Sequence, residues 1–146
     1  MKTILFAALL LASTAHAACT DPPAARVDWT GCIFPDGKDL SGVDLQLAVM
    51  PGVWLRFANL KGTNLSNARL GGANLLGANL TGANLTAALM HDAGLYMANL
   101  EDANLTGAAM IRTNIIGAKL TGAKLSRTTW IDGRKVCKPE SVGNCQ

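Results

Sequence analysis

The chain has 146 residues, 49% of them hydrophobic, and its 13 lysines and arginines against 10 aspartates and glutamates give a formal net charge of +3. This basic surplus is too small and too scattered to indicate nucleic-acid binding. After the first 17 residues no stretch approaches 18 unbroken apolar residues, so the sequence predicts no integral membrane span.

The first 17 residues, MKTILFAALLLASTAHA, have the pattern of a secretory signal peptide. One basic residue, Lys2, precedes an apolar stretch at residues 4–12, and the small residues Ala15 and Ala17 suit a signal peptidase. We therefore predict cleavage after Ala17 and a periplasmic or secreted protein. Lipoprotein anchoring at Cys19 is the weaker alternative, because the three residues before this cysteine include no leucine-like residue.

Residues 18–37 are predicted to form an N-terminal cap that contains Cys19 and Cys32. The end of a stacked repeat exposes an unpaired strand edge and its core, and such ends have to be covered. The turn-rich segment VDWTGCIFPDG carries three large apolar side chains that we expect to close this end: Trp29, Ile33 and Phe34.

Residues 38–132 are organised around an apolar residue at every fifth position. These residues are Leu40, Leu45, Met50, Leu55, Leu60, Leu65, Leu70, Leu75, Leu80, Leu85, Met90, Leu95, Leu100, Leu105, Met110, Ile115, Leu120, Leu125 and Trp130. On an α-helix five steps turn the side chain by roughly 500°, so no single apolar stripe forms. On a flat strand an odd period sends successive leucines to opposite faces. The chain must therefore turn a corner in every repeat.

Each repeat also assigns a direction to its other residues. The small residue two positions before the leucine, usually alanine, faces the same way as the leucine because extended residues alternate. The residue between them then faces outward, and it is often asparagine: Asn59, Asn64, Asn74, Asn79, Asn84, Asn99, Asn104 and Asn114. Glycine, serine and threonine follow the leucine and suit a tight corner. The pattern predicts a solenoid.

Units such as FANLK, GANLL, GANLT, MANLE and DANLT resemble the A(D/N)LXX unit of the pentapeptide repeat family, over about 95 of the 146 residues. The resemblance implies an all-β fold, a right-handed quadrilateral β-helix with four units in each turn. The repeats would then make about 4–5 coils, capped at both ends. With coils at the usual strand spacing of about 4.8 Å, the rod would be roughly 23 Å tall.

Residues 133–146 are predicted to form a C-terminal cap with Cys137 and Cys145, next to Trp130 in the last leucine position. In the rod that the resemblance implies, the two ends lie too far apart for a disulfide, whose Cα atoms are within about 7 Å of each other. We therefore expect the pairs Cys19–Cys32 and Cys137–Cys145. A four-cysteine zinc site is the disfavoured alternative, because it needs all four together and CxxC spacing is missing.

Residues twenty apart would stack on one side of such a rod, and outward apolar residues gather on the third and fourth sides. An exposed apolar patch of this kind typically marks a contact surface. The alternative is that these units are merely irregular and that the terminal segments cover part of the patch. The predicted interaction surface comprises Trp54, Phe57, Leu76, Leu89, Tyr96, Met97, Ile111 and Ile116.

No residue pattern indicates catalysis, a cofactor or a metal. His91 is the only histidine after the signal peptide, and its neighbour Asp92 would point the other way on an extended chain, so the two do not form a base with its orienter. Asp92, Glu101 and Asp102 form only a loose acidic group without a further histidine. We expect a non-enzymatic protein.

The sequence thus favours an exported structural or protein-interaction scaffold that binds a protein partner or self-associates, for example as a homodimer. The basic C-terminal end also allows weak contact with an anionic surface. The alternative that the resemblance brings is a DNA mimic that binds a topoisomerase and confers quinolone resistance. Residues 38–132 carry eight basic and six acidic residues, which disfavours mimicry, as does the signal peptide.

Overall fold

The structure is a computed structural model that describes residues 19–146. The predicted signal peptide, its cleavage after Ala17 and the first residue of the predicted N-terminal cap lie outside the described residues. Within residues 19–146 no continuous helix or strand forms, and the regular backbone pairing consists of isolated β-bridges. No helix in this part of the chain has the length and apolar composition to cross a membrane.

The bridges recur at every fifth residue from Asp39 to Thr129, and from Asp39 to Ala109 each bridge residue pairs in parallel with the residue twenty positions later. Each bridge contains two hydrogen bonds, as when Leu60 N–H donates to the Asn79 carbonyl (2.7 Å) and Asn79 N–H to the Ala58 carbonyl (2.9 Å). The chain therefore returns to the same side after four corners, and each coil pairs with the next.

Four ladders of bridges define four sides, which we number in chain order from Asp39. Side 1 contains Asp39, Asn59, Asn79, Asn99 and Lys119. Side 2 contains Asp44, Asn64, Asn84, Asn104 and Lys124. Side 3 contains Asp28, Val49, Arg69, Leu89, Ala109 and Thr129. Side 4 contains Ile33, Trp54, Asn74, Gly94 and Asn114.

The residue after each bridge points inward and forms the core. From Leu40 to Met110 these leucines and methionines are at most 1% exposed, and the small residues before the bridges, such as Ala78 and Ala83, are equally buried. Burying one leucine contributes about 1.5–3 kcal/mol, so the repeated layers are a large apolar term in stability. Near the C-terminal end Ile115, Leu120 and Trp130 are only partly buried.

Three threonines occupy the inward alanine position without leaving a polar group unpaired. The hydroxyls of Thr63, Thr113 and Thr128 donate to main-chain carbonyls of the preceding coil, each at 2.7 Å. A buried hydroxyl without such a partner costs stability, so these bonds explain why threonine is tolerated inside the rod.

Each corner has its second residue in the left-handed region, whether or not that residue is glycine. Phe57, Asp92 and Met97 have φ of 55°, 60° and 57°, as does Gly77 at 62°. Many outward asparagines support the corner, because their Oδ1 accepts the main-chain N–H two residues later, as Asn79 does from Thr81 at 3.1 Å. The prediction from the sequence explained the corners by glycine, serine and threonine, and it did not include this role of asparagine.

The ladders begin ten residues before the first predicted repeat. Asp28 bridges Val49 and Ile33 bridges Trp54, each at a separation of 21 rather than 20 because one extra residue lies between the bridge residues Ile33 and Asp39. Trp29 and Phe34 thus occupy the leucine position, are buried, and pack edge to face with ring centroids 4.8 Å apart. Ile33 is 68% exposed on side 4, so the expectation that it closes the end is wrong.

The C-terminal segment lies antiparallel against the last coil. Val136 bridges Thr129 and Val142 bridges Lys124, so the segment pairs with the edges of sides 3 and 2. Cys137 and Cys145 form a disulfide with Cα atoms 4.8 Å apart. The last bridges of sides 4 and 1, at Asn114 and Lys119, have no further bridge beyond them in the described chain.

Candidate interaction surface

Most of the predicted surface residues lie along the corner between sides 4 and 1. Main-chain hydrogen bonds join successive coils there: Phe57 N–H donates to the Leu76 carbonyl (2.7 Å), and Met97 N–H donates to the Ile116 carbonyl (3.0 Å). Between these pairs, Gly77 N–H donates to the Tyr96 carbonyl at 2.9 Å. We define the apolar strip as the large apolar side chains at the surface of this corner together with the two exposed apolar bridge residues of side 4. The strip comprises Ile33, Trp54, Phe57, Leu76, Tyr96, Met97 and Ile116.

The strip is exposed along most of the rod. Met97 and Ile116 are 61% and 68% exposed, and the aromatic residues Trp54, Phe57 and Tyr96 retain between 39% and 49% of their surface. Leu76 is the one strip residue that is only half-exposed. Exposed aromatic residues and methionine are typical of protein contact surfaces.

Large side chains and glycines alternate along the second corner position of the strip. The Phe57 ring lies over Gly77, and the Met97 side chain lies over Gly117. A Cβ on Gly77 would come within 2.6 Å of two Phe57 ring atoms. The glycines therefore leave room for the Phe57 and Met97 side chains to lie along the corner.

Replacing Gly77 by alanine is expected to lower the free energy of unfolding by about 2 kcal/mol, from the left-handed φ and from the Phe57 contact. Gly82→Ala is the matched control, because Gly82 has φ of 64° and nothing near its missing Cβ, so only the backbone cost of about 1 kcal/mol applies. Chemical denaturation of both variants measures the difference. Equal losses, or a difference that persists in a Phe57→Ala background, would contradict the proposed ring contact.

The structure does not bring Leu89 and Ile111 into the strip. Leu89 is 42% exposed on side 3, and the corner at His91 and Asp92 together with side 4 separates it from Tyr96. Ile111 is half-buried, and the C-terminal segment approaches it, since a Cβ on Gly133 would lie 3.2 Å from the Ile111 side chain. Six of the eight residues of the predicted surface therefore belong to the apolar strip, and Leu89 and Ile111 lie apart from it.

Asp92 is paired with Arg112 of the next coil and not with His91. Arg112 Nε and Nη2 donate to the two Asp92 carboxylate oxygens at 2.7 and 2.8 Å. These hydrogen bonds, with the positive charge of Arg112, lower the pKa of Asp92 and raise the pKa of Arg112. The carboxylate therefore stays ionised and is held by Arg112, and no hydrogen bond joins it to His91 in the described chain.

No group of three or more histidines, cysteines, aspartates and glutamates within residues 19–146 is placed to hold a metal ion. The Glu101 carboxylate accepts a hydrogen bond from the Asn99 amide at 3.1 Å. Cys19 and Cys32 form a disulfide with Cα atoms 5.5 Å apart, so no thiol is free among the described residues.

Comparison with known proteins matches residues 55–93 and 95–129 to the model of the pentapeptide repeats, with eight copies. A pentapeptide repeat protein from the thylakoid lumen of Arabidopsis thaliana is 33% identical, over 77% of this chain and 83% of that chain, with a TM-score of 0.66. No curated protein sequence matches.

Two further solved structures are similar over shorter lengths. A pentapeptide repeat protein from the cyanobacterium Cyanothece 51142 is 36% identical over 71% of this chain and 64% of that chain, with a TM-score of 0.39. QnrB1, a plasmid-mediated fluoroquinolone resistance protein, is 20% identical over 71% of this chain and 58% of that chain, with a TM-score of 0.41. At these TM-scores neither likeness supports a functional argument.

Proposed function

Because the chain belongs to the pentapeptide repeat family, whose members form right-handed β-helices, we propose that it is a non-enzymatic scaffold that binds protein through its apolar strip. Proteins of this family are generally structural or interaction proteins. The observation that carries the proposal is the continuous exposure of the strip on a rod whose other apolar residues are mostly buried. Such a patch on a soluble protein marks a contact site.

We propose that the rod is right-handed and capped at both ends, with residues 18–37 and 133–146 closing the repeats of residues 38–132. The antiparallel bridges of Val136 and Val142 support the C-terminal cap, since they pair edges that would otherwise be open. At the other end Trp29 and Phe34 support a cap that is partly built as an additional half-coil. With that half-coil the rod has slightly more than five coils, against the 4–5 inferred from the repeats alone.

We also propose that the protein is exported to a periplasm or secreted after removal of residues 1–17. Both disulfides favour an oxidising compartment, because cytosolic thiols are kept reduced. The relative from the thylakoid lumen is compatible with a location across a membrane. Mass spectrometry of the mature protein tests this step: we expect a chain that starts at Ala18 and has no free thiol. Retention of Met1 with free cysteines would contradict export.

The alternative function, a DNA mimic that acts on a topoisomerase, gains no support from the charges. Such mimicry needs a densely acidic surface, whereas residues 38–132 have more basic than acidic residues. Arg69, Arg112, Lys119 and Lys124 all lie exposed on the sides or corners of the rod. We therefore propose the scaffold function in preference to DNA mimicry.

Affinity capture from cell-envelope extract tests the scaffold, with the mature disulfide-bonded protein as bait. Replacing Tyr96, Met97 and Ile116 by serine removes the C-terminal part of the strip and is expected to abolish specific capture while the circular dichroism spectrum is unchanged. The control variant Leu47→Ser with Leu89→Ser removes two exposed leucines outside the strip, and its capture is expected to match the native protein. Identical capture by all three proteins would contradict binding through the strip.

A further inference from the structure

The charges of the rod are separated along its axis. Residues 19–48, at the N-terminal end, contain five aspartates and two basic residues, a net charge of −3. Residues 109–146, at the C-terminal end, contain seven basic and two acidic residues, a net charge of +5. The middle part, residues 49–108, has three of each and is neutral. The rod therefore has an acidic end, a neutral centre and a basic end.

The apolar strip runs between these two ends. Its N-terminal part, at Ile33 and Trp54, lies beside the acidic end, and its C-terminal part, at Ile116, lies beside the basic end. On side 1, next to the strip, the first and last bridge residues are Asp39 and Lys119, both exposed. Hydrogen bonds from Ser41 lower the pKa of Asp39, so its carboxylate is ionised at neutral pH.

We propose that the apolar strip binds a second copy of this chain in antiparallel orientation, so that the acidic end of each rod lies beside the basic end of its partner. This inference rests on the proposed function and specifies the occupant of the same surface. A two-fold axis across the middle of the strip, near Leu76, produces this arrangement with one self-complementary surface. A parallel pair would place acidic beside acidic and basic beside basic ends, which costs binding energy.

The size of the strip suits a dimer of modest stability. From the exposed fractions of its residues, the strip contributes about 600 Å² of apolar surface per copy, given the area of large side chains. A standard protein interface buries about 800 Å² per partner, and polar residues of sides 4 and 1 at the rim supply the remainder. A head-to-tail polymer would also join opposite charges, but it would leave the strip exposed to water.

Sedimentation equilibrium of the purified, disulfide-bonded native protein tests the proposal with charge-reversal variants. Asp39→Lys and Lys119→Asp each place like charges against each other twice in the antiparallel dimer, so each variant alone is expected to dimerise at least about tenfold more weakly. In an equimolar mixture each substituted residue faces an opposite charge, and dimerisation is expected to return to the native strength. Circular dichroism of each variant serves as the folding control.

The outcomes separate the alternatives. A native protein that stays monomeric, variants that dimerise like the native protein, or a mixture that fails to recover each overturn the antiparallel dimer. Oligomers that keep growing with concentration indicate the head-to-tail polymer and overturn it as well. If the native protein is monomeric and the strip variant loses its envelope partner, only the antiparallel dimer is overturned. If the native protein dimerises and the strip variant captures the same envelope proteins as the native protein, only binding of a foreign partner at the strip is overturned.

Discussion

Replacing Leu85 by alanine is expected to lower the free energy of unfolding by about 2–5 kcal/mol, the range for a large core side chain removed without collapse of the cavity. Leu85 is fully buried in the middle of the rod. Its main chain is fixed on both sides, since Leu85 N–H donates to the Asn104 carbonyl at 2.7 Å and Ala88 N–H donates to the Leu85 carbonyl at 3.0 Å. The backbone therefore has little freedom to fill the space. Guanidinium denaturation followed by circular dichroism measures the loss.

Leu89→Ala is the matched control, because it makes the same chemical change at an outward position of the same repeat series. Leu89 is 42% exposed, so its replacement is expected to cost less than about 1 kcal/mol. Because both variants replace leucine by alanine, the difference in their stability loss reports whether the side chain points inward or outward. If the two variants lose equal stability, the assignment of inward and outward positions does not hold.

Replacing both Cys137 and Cys145 by alanine is expected to destabilise the C-terminal end by about 2.5 kcal/mol, the chain-entropy estimate for a closed loop of this size. The disulfide spans eight positions and closes the segment that carries Val136 and Val142, whose antiparallel bridges pair with the last coil. Without it, the segment loses its constraint and is expected to leave that edge. Limited proteolysis is expected to cleave within residues 133–146 of the variant and to spare the native protein.

Two tryptophans report whether this effect is local. Trp130 lies next to the C-terminal segment and is partly buried, whereas Trp29 is buried near the other end of the rod. Variants that retain only one of these two tryptophans, with the other and Trp54 replaced by phenylalanine, allow each end to be followed by fluorescence. The cysteine replacement is expected to shift the Trp130 transition and to leave the Trp29 transition nearly unchanged, because repeat proteins transmit stability mainly between neighbouring units. An unchanged Trp130 signal, with native resistance to protease, would contradict a structural role for this disulfide.

The regular part of the fold was readable from the sequence because one steric rule acts in every repeat. Side chains five positions apart share an interior only if the chain bends once per unit, which assigns Leu60, Leu80 and Leu100 to the core and Asn59, Asn79 and Asn99 to outward positions. The family resemblance added the four-unit turn, and with it the stacking of residues twenty apart. Most of the strip, from Phe57 to Ile116, followed from these two inferences.

The candidate surface was predicted less completely, since its details depend on contacts between coils. Whether Ile111 is exposed depends on where residues 132–133 lie, and the five-residue period ends before that segment. The pairing of Asp92 with Arg112 also required both corners to present their side chains on neighbouring coils in a compatible geometry. Phe57 alternates with Gly77, and Met97 with Gly117, at a spacing of twenty in the sequence. This alternation is the signal from which the contacts between large side chains and glycines could have been predicted.

By itself the sequence determined the direction of each side chain within the repeats, because alternation and the corner in each unit are local properties of the backbone. Only the tertiary structure decided how the two ends are closed: Ile33 turns outward while Trp29 and Phe34 enter the core, and the C-terminal segment pairs antiparallel with the last coil. At the ends no following repeat imposes the period. The chain there adopts whichever arrangement pairs the free edge and buries the last apolar layer, and that depends on contacts between segments distant in sequence.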